Sequence, residues 1–340
     1  MLFDTIKIKN SETKNRIVMA PMCMYKAPDS KANNFHLVHY AARAIGGVGT
    51  IILEATAVEP RGRITPNDLG LWDNQFIEPL SRIVAECKRY GSLTGIQIAH
   101  AGRKSKVRNE AIVAPSPIAF NENFPVPHQL SKTEISEIVD KFATAAERAV
   151  KAGFDFIEIH GAHGYLISEF LSPVTNKRSD EYGQNRALFL KQVLEKVKTK
   201  IPDNYPVLLR VSGEEYHPEG NTRKTLSELL AQVNDLYDIL HVSSGGIYAK
   251  EKYEIYPAYQ LNFADELKKL TGKPVIAVGR LENPQLAEQA LQENKADFIA
   301  IGKALLSDPH WALHAGEKLK VDMKWFGEYE RAKGIIKCYE

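Results

Sequence analysis

Eight times along this chain a short apolar run is followed by a longer stretch with helical periodicity, and no other feature limits the possible folds so tightly. The runs are Arg16–Ala20, Gly49–Ala55, Leu93–Ala99, Phe154–Ile159, Pro206–Val211, Asp238–Val242, Pro274–Gly279 and Asp297–Ile301. Helical patterns lie between them, over about 35–45, 74–90, 131–152, 185–200, 225–236, 260–270 and 284–292, and a last one reaches about Leu319. The pattern from Ser131 opens with Ser131-Lys132-Thr133-Glu134, whose spacing puts a hydroxyl and a carboxylate on the free amides of a first helical turn. Strand–helix alternation of this kind, with no break in composition, predicts an α/β fold: an eight-stranded parallel (β/α)8 TIM barrel. It is expected to form one domain over residues 1–340, with residues 319–340 as a C-terminal arm. The rival is a doubly wound open sheet. No G-x-G-x-x-G follows the first run, and polar residues gather at the C-terminal ends of nearly all the runs instead of at one switch point. Leu2–Asn15, with Ile6 and Ile8 alternating with lysines, reads as an N-terminal β ribbon plugging the barrel, and the proline-rich, aperiodic Ser105–Gln129 reads as a lid loop after strand 3.

Charge and composition then narrow the partners. Lys+Arg 44 against Asp+Glu 42 leaves no net field to attract nucleic acid or an anionic membrane, which points to a small-molecule ligand. The cysteines, Cys23, Cys87 and Cys338, are odd in number and far apart, which argues against a disulfide framework or a C-x-x-C metal site and for a reducing interior. No stretch approaches the ~18 apolar residues needed to span a bilayer, and the start shows no basic-then-apolar leader, so the expected location is cytoplasmic.

A barrel of this kind does its chemistry at the C-terminal ends of its strands. There the chain places Cys23 and Tyr25, Ala55, Gln97 and His100, the turn His160-Gly161-Ala162-His163-Gly164-Tyr165, Arg210, Ser243 to Gly246, Gly279, and Gly302-Lys303. An imidazole pair can donate hydrogen bonds to a carbonyl oxygen, and a phenol of pKa near ~10 can give a proton to carbon while staying protonated at neutral pH. Taken alone, the turn could equally hold two structural histidines. The glycine-bearing ends of strands six to eight, with a cation at Lys303, suit a phosphate-bearing cofactor, although any one of those glycines could simply make a tight turn. His160 and His163 lack the further ligands of a metal site. Cys23 could be a nucleophile or a small buried hydrophobe. Arg210, at the end of a buried strand, needs an anion to face.

Together these residues resemble the Old Yellow Enzyme family of flavin-dependent ene-reductases, most closely its bacterial thermophilic-like branch. The resemblance covers essentially the whole chain and rests on Lys14-Asn15-Arg16-Ile17-Val18-Met19-Ala20-Pro21-Met22-Cys23-Met24-Tyr25, on Gly95-Ile96-Gln97-Ile98-Ala99-His100-Ala101-Gly102-Arg103-Lys104, on His160 to Tyr165 with Phe170-Leu171-Ser172-Pro173, and on Tyr329-Glu330-Arg331. It implies non-covalently bound FMN, reduced by NADPH or NADH. Ala20, Pro21, Met22, Cys23 and Ala55 are then expected along the isoalloxazine, Gln97 at its pyrimidine edge, Arg210 facing N1 and O2, and Gly279, Gly302 and Lys303 at the phosphate. His160 and His163 are expected to anchor the oxygen of an α,β-unsaturated carbonyl or nitro compound, Tyr165 to protonate one alkene carbon, and Tyr25 to touch substrate. Arg331 is expected to reach a neighbouring subunit's active site in a homodimer or homotetramer. Three departures from the family pattern stand out: Lys303 where an arginine is usual, a shortened segment over 180–186, and Ser168 where a histidine is common. Two other functions fit the same barrel: a non-catalytic flavin-binding or sensor protein, against which the retained His160, His163 and Tyr165 speak, and a dihydroorotate-dehydrogenase-like flavoenzyme, which lacks the His-x-x-His-x-Tyr turn.

Overall fold

In the computed structural model, which describes residues 1–334, eight parallel strands close into a barrel. They are β1 (Ile17–Met19), β2 (Thr50–Ala57), β3 (Leu93–Ala99), β4 (Phe156–Gly161), β5 (Val207–Ser212), β6 (Ile239–Ser243), β7 (Val275–Val278) and β8 (Phe298–Ile301). Each pairs with the next in sequence, and β8 closes on β1 through Ile299↔Ile17 and Ile301↔Met19. The main helices are α1 (Asn34–Ile45), α2 (Ile77–Arg89), α3 (Lys132–Lys151), α4 (Leu188–Lys198), α5 (Arg223–Ala231), α6 (Leu261–Thr271), α7 (Pro284–Gln292) and α8 (Trp311–Lys318). Their ends are set locally. The Ser131 hydroxyl accepts the Glu134 amide while the Glu134 carboxylate accepts the Ser131 amide, the reciprocal cap read from the sequence, and Gly272 ends α6 in the left-handed conformation.

Alternation along each strand builds two cores. Outward residues such as Ile17, Ile51, Ile96, Ile157, Leu209 and Leu240 meet the helices. Inward residues Val18, Ile52, Phe156, Leu208, Ile239, Ile276 and Phe298 fill the lower barrel. The ribbon is a hairpin, Ile6–Ile8 with Ser11–Thr13, and its Ile6 and Ile8 pack against this inner cluster, so it does plug the barrel floor. Gly95 makes room for the Phe156 ring, since a side chain there would begin 2.1 Å from it.

One boundary differs from expectation in a way that matters. The apolar run ends at Ile159, but β4 continues through Gly161 because β5 keeps pairing with it, His160↔Arg210 and Gly161↔Val211. His160 is thus a strand residue of fixed inward direction, and only His163 lies in the turn. The segment from Ser105 to Gln129 is an irregular excursion pinned by one short parallel pair, Val113–Ala114 with His128–Gln129. Beyond α8 the arm folds back on its own barrel: Trp325 is buried, and Phe326 packs edge-on against Tyr90. Cys338 lies outside the described residues.

Candidate active site

Two residues above the apolar floor, the inward positions become polar: Phe156 gives way to Glu158 and His160, Leu208 to Arg210 and Ser212, Ile239 to His241 and Ser243. After β4 the chain turns sharply, with His163 and Gly164 both left-handed (φ 59° and 66°). A side chain at Gly164 would begin 2.1 Å from the Gly246 carbonyl oxygen, and one at Gly246 2.4 Å from the His163 backbone, so the turns after β4 and β6 interlock. The Lys104 ammonium ties them, donating to the His163 and Gly246 carbonyls at 2.9 and 3.0 Å. Ser168 has a role here: its hydroxyl accepts the Gly164 amide at 3.2 Å.

This turn brings the expected trio together. The rings of His160 and His163 lie 5.2 Å apart, and those of His160 and Tyr165 5.0 Å apart, all edge to face. His160 Nδ1 accepts the Ala162 amide at 3.3 Å, which leaves Nε2 to carry the proton. His163 Nε2 lies 2.8 Å from the Ser243 hydroxyl. Burial, then the Arg210 charge, holds both imidazoles well below their ordinary range, so both are neutral at physiological pH. Burial, reinforced by Cys23 and Tyr25, pushes the Tyr165 phenol far above its usual value, and it keeps its proton. Lys104 stands 5.1 Å from the Tyr165 ring, its ammonium lowered by burial to about 8.

The remaining expected residues sort by surroundings. Arg210 is buried, its Nε has no partner, and among the described residues its guanidinium makes no hydrogen bond or ion pair. A dry cation in that state calls for an anionic ligand. Gln97 is buried too, its amide nitrogen 2.7 Å from Glu158 on the neighbouring strand. Ala20 and Ala55 are buried, while Pro21, Met22 and Cys23 are partly covered along the β1 end. Burial raises the Cys23 thiol, with Asp68 and Glu54 adding to the shift, so it stays protonated and is no ready nucleophile. Tyr25 is exposed and left-handed (φ 54°), its phenol pushed by burial to about 12. Gly279, Gly302 and Lys303 line one cavity of about 570 Å³ beyond β7 and β8. A side chain at Gly279 would begin 2.3 Å from the Gln260 amide nitrogen. Arg331 is exposed on a short 3₁₀ turn, Gly327–Ala332, away from its own mouth residues in sequence and paired with none of them. His100 leaves the group: its Nε2 meets Glu59 at 2.8 Å and its Nδ1 accepts the Gly102 amide, so both nitrogens are spent.

Four residues escaped the sequence reading. Arg280 lines the same cavity as Gly279, Gly302 and Lys303. Glu54, raised by burial to about 7, accepts the Met24 amide at 2.8 Å and the Tyr40 hydroxyl at 3.1 Å, holding the turn that displays Cys23 and Tyr25. Glu158 and His241 form a buried pair at 2.7 Å. A usable sign existed for the last two: a charged and a titratable residue at inward parity inside otherwise apolar runs.

A closed barrel whose mouth pairs an unneutralised guanidinium with neutral imidazoles and a protonated phenol is furnished for an anionic aromatic cofactor and for proton transfer, the outfit of a flavoprotein oxidoreductase. Comparison with known proteins agrees, and the chain belongs to the NADH:flavin oxidoreductase / NADH oxidase family, whose model matches residues 1–322. It is 47% identical over 336 residues to the NADPH dehydrogenase of Clostridium acetobutylicum, covering 97% of this chain and 99% of that one. The Old Yellow Enzyme homologue of Zymomonas mobilis superposes with a TM-score of 0.80 at 28% identity, over 95% of this chain and 94% of that one. A 2-naphthoyl-CoA reductase shares the fold with a TM-score of 0.88 at 22% identity; the match covers 93% of this chain and about half (52%) of that protein. The chain is therefore an oxidoreductase of Old Yellow Enzyme type that works with a flavin and a nicotinamide nucleotide.

Proposed function

We propose that this protein is an FMN-dependent ene-reductase that reduces the activated C=C bond of α,β-unsaturated carbonyl and nitro compounds at the expense of NADPH or NADH. The observation that carries the reading is the His160–His163–Tyr165 trio seated beside an unpartnered Arg210. FMN held here would supply the hydride, drawn from the nicotinamide nucleotide, for one alkene carbon. The chain does the rest. His160 Nε2–H and one N–H of His163 bind the substrate oxygen. The Ser243 hydroxyl lies 2.8 Å from His163 Nε2 and 3.3 Å from Gln260 Oε1; when it turns its proton to the nearer Nε2, His163 Nδ1–H is the second donor. Neutral donors polarise a carbonyl without surrendering a proton to it. The Tyr165 Oη proton goes to the second alkene carbon, completing the saturated product, and solvent restores it.

In the same reading Ala20, Pro21, Met22, Cys23 and Ala55 border the flavin ring, Gln97 meets its pyrimidine edge, Arg210 offsets the charge that reduction puts there, and Gly279, Gly302 and Lys303 hold the phosphate. A single exposed Lys303, lacking the fork of a guanidinium, is supplemented by Arg280, which lines the same cavity and is paired through Nε with Glu282. Tyr25, and Arg331 from a second subunit of a homodimer or homotetramer, border the substrate. The test is direct: the purified protein is yellow, NADPH bleaches it without oxygen, and 2-cyclohexenone restores the colour. A bleached protein that an enone leaves colourless contradicts the reading.

A further inference from the structure

The inward residue of β4 below His160 is Glu158, with no exposed surface. A carboxylate at the centre of a barrel is costly unless its oxygens are occupied, and here both are. Gln97 on β3 donates its amide nitrogen to Oε1 at 2.7 Å, and His241 on β6 lies with Nδ1 2.7 Å from Oε2. Between them on β5 stands Arg210, in register with His160 on one side and His241 on the other. Burial alone would raise the Glu158 carboxyl, but His241, Arg210 and Gln97 together hold it below its ordinary value, so it is ionised. Burial keeps His241 neutral, with Nδ1–H donating.

An ionised carboxylate accepts hydrogen bonds and donates none. It therefore fixes which way round the Gln97 amide lies: nitrogen to Glu158, with Oε1 and the second N–H left for a ligand. That pair, an acceptor beside a donor, complements an imide edge, where an N–H is flanked by carbonyl oxygens. The flavin pyrimidine ring has such an edge. Glu158 also places a fixed negative charge within the field of Arg210, a buried cation that makes no hydrogen bond or ion pair among the described residues.

We propose that Glu158 is a positioning residue: it fixes the polarity of the Gln97 amide for the imide edge of the flavin, and its charge partly offsets Arg210, so that it sets the flavin's reduction potential. This rests on the FMN reading above. Two variants of the holoenzyme separate its parts. Glu158→Gln removes the charge and keeps the shape; the midpoint potential, measured against a reference dye, shifts to more positive values, because Arg210 then acts unopposed on the charge that reduction adds. Glu158→Asp keeps the charge and withdraws the acceptor by one methylene; the potential stays near wild type, while FMN is lost several-fold faster on dilution because the Gln97 amide is released. This second variant also serves if Glu158→Gln does not accumulate as folded protein. An unchanged potential in Glu158→Gln overturns the charge role, and unchanged FMN retention in Glu158→Asp overturns the aiming role. A wild-type protein that carries no flavin removes the FMN reading itself, and this inference with it.

Discussion

The lower and upper halves of the barrel interior are built on the same strands, one inward step apart, and differ in almost every physical respect. Below, Val18, Ile52, Phe156, Leu208, Ile239, Ile276 and Phe298 close over the Ile8 plug with no polar atom to satisfy. Above, Gln97, Glu158, His160, Arg210 and His241 crowd into one layer, with orphaned nitrogens on Arg210 and His241. The lower layer is a source of stability. The upper one holds desolvated charge and neutralised imidazoles, which cost stability and are retained because they act on a ligand. Variants in the two layers should fail differently.

The largest effect is expected above. Replacing both His160 and His163 with Ala removes two donors to the substrate oxygen, at ~10²–10³ in rate for each by analogy with oxyanion donors. The long-wavelength band that phenols give with oxidised flavin in this family should vanish with them, while melting temperature changes little. An unaltered phenol titration would show that the pair does not face the ligand. Below, Phe156→Ala should cost about 3–5 kcal/mol of stability, as for other buried Phe truncations, read from denaturant unfolding. It should leave the half-reaction rates of the surviving folded protein near wild type; a stable Phe156→Ala protein with slowed chemistry would erase the distinction between the layers.

Acid should attack both the mouth and the wall behind it. Burial holds His36 and His39 near 4, and His160 and His163 well below their ordinary range. Each takes up its proton near 6.5 when unfolded and not when folded, so below that pH the unfolded chain binds more protons and stability falls as pH falls. For His36 and His39 the slope is up to about 1.4 kcal/mol per pH unit each between roughly 6.5 and 4, and His160 and His163 add to it in the same direction. Glu54, raised to about 7, and Glu169, raised by burial to about 8, keep protons when folded that they lose when unfolded, and so oppose part of this over the same range. With four imidazoles against two carboxyls the melting temperature should still fall below pH 6; one that rose toward pH 5 would mean the imidazoles are not desolvated.

The smallest effect concerns the arm. Trp325 and Phe326 serve their own barrel, whereas Tyr329 and Arg331 are exposed, so truncation before Trp325 would disturb the fold as well as any neighbour. Arg331→Ala is the cleaner probe. A few-fold rise in KM for the enone, with the oligomer unchanged by sedimentation, is the outcome expected of an arginine lent to a second subunit. An unchanged KM would leave it a surface residue.

The contrast between layers also explains what could be read from the sequence. Eight apolar runs and their helices follow from periodicity, and Pro284–Gln292 is found with the boundaries its Pro start and polar end indicate. The trio was legible because it is contiguous, His160 to Tyr165, and stands at a strand end. Glu158 and His241 were not, because each sits alone in an apolar run and their partnership spans 83 positions, closed only when β4, β5 and β6 lie side by side. Arg280 is not legible because it lies past the end of an apolar run, in a left-handed turn after Gly279 that only the closed barrel brings to Lys303. The end of β4 was misplaced by two residues because pairing with β5, a non-local interaction, outweighs the glycine at 161.

The division of labour between proton donor and hydride chemistry is most directly tested by stopped-flow of Tyr165→Phe, one half-reaction at a time. Reduction of the bound flavin by NADPH needs no proton from Oη and should proceed at the wild-type rate, while reoxidation by an enone should slow by ~10²–10⁴, the usual cost of losing a general acid. Equal slowing of both half-reactions, or of neither, would contradict the assignment of Tyr165 as the proton donor.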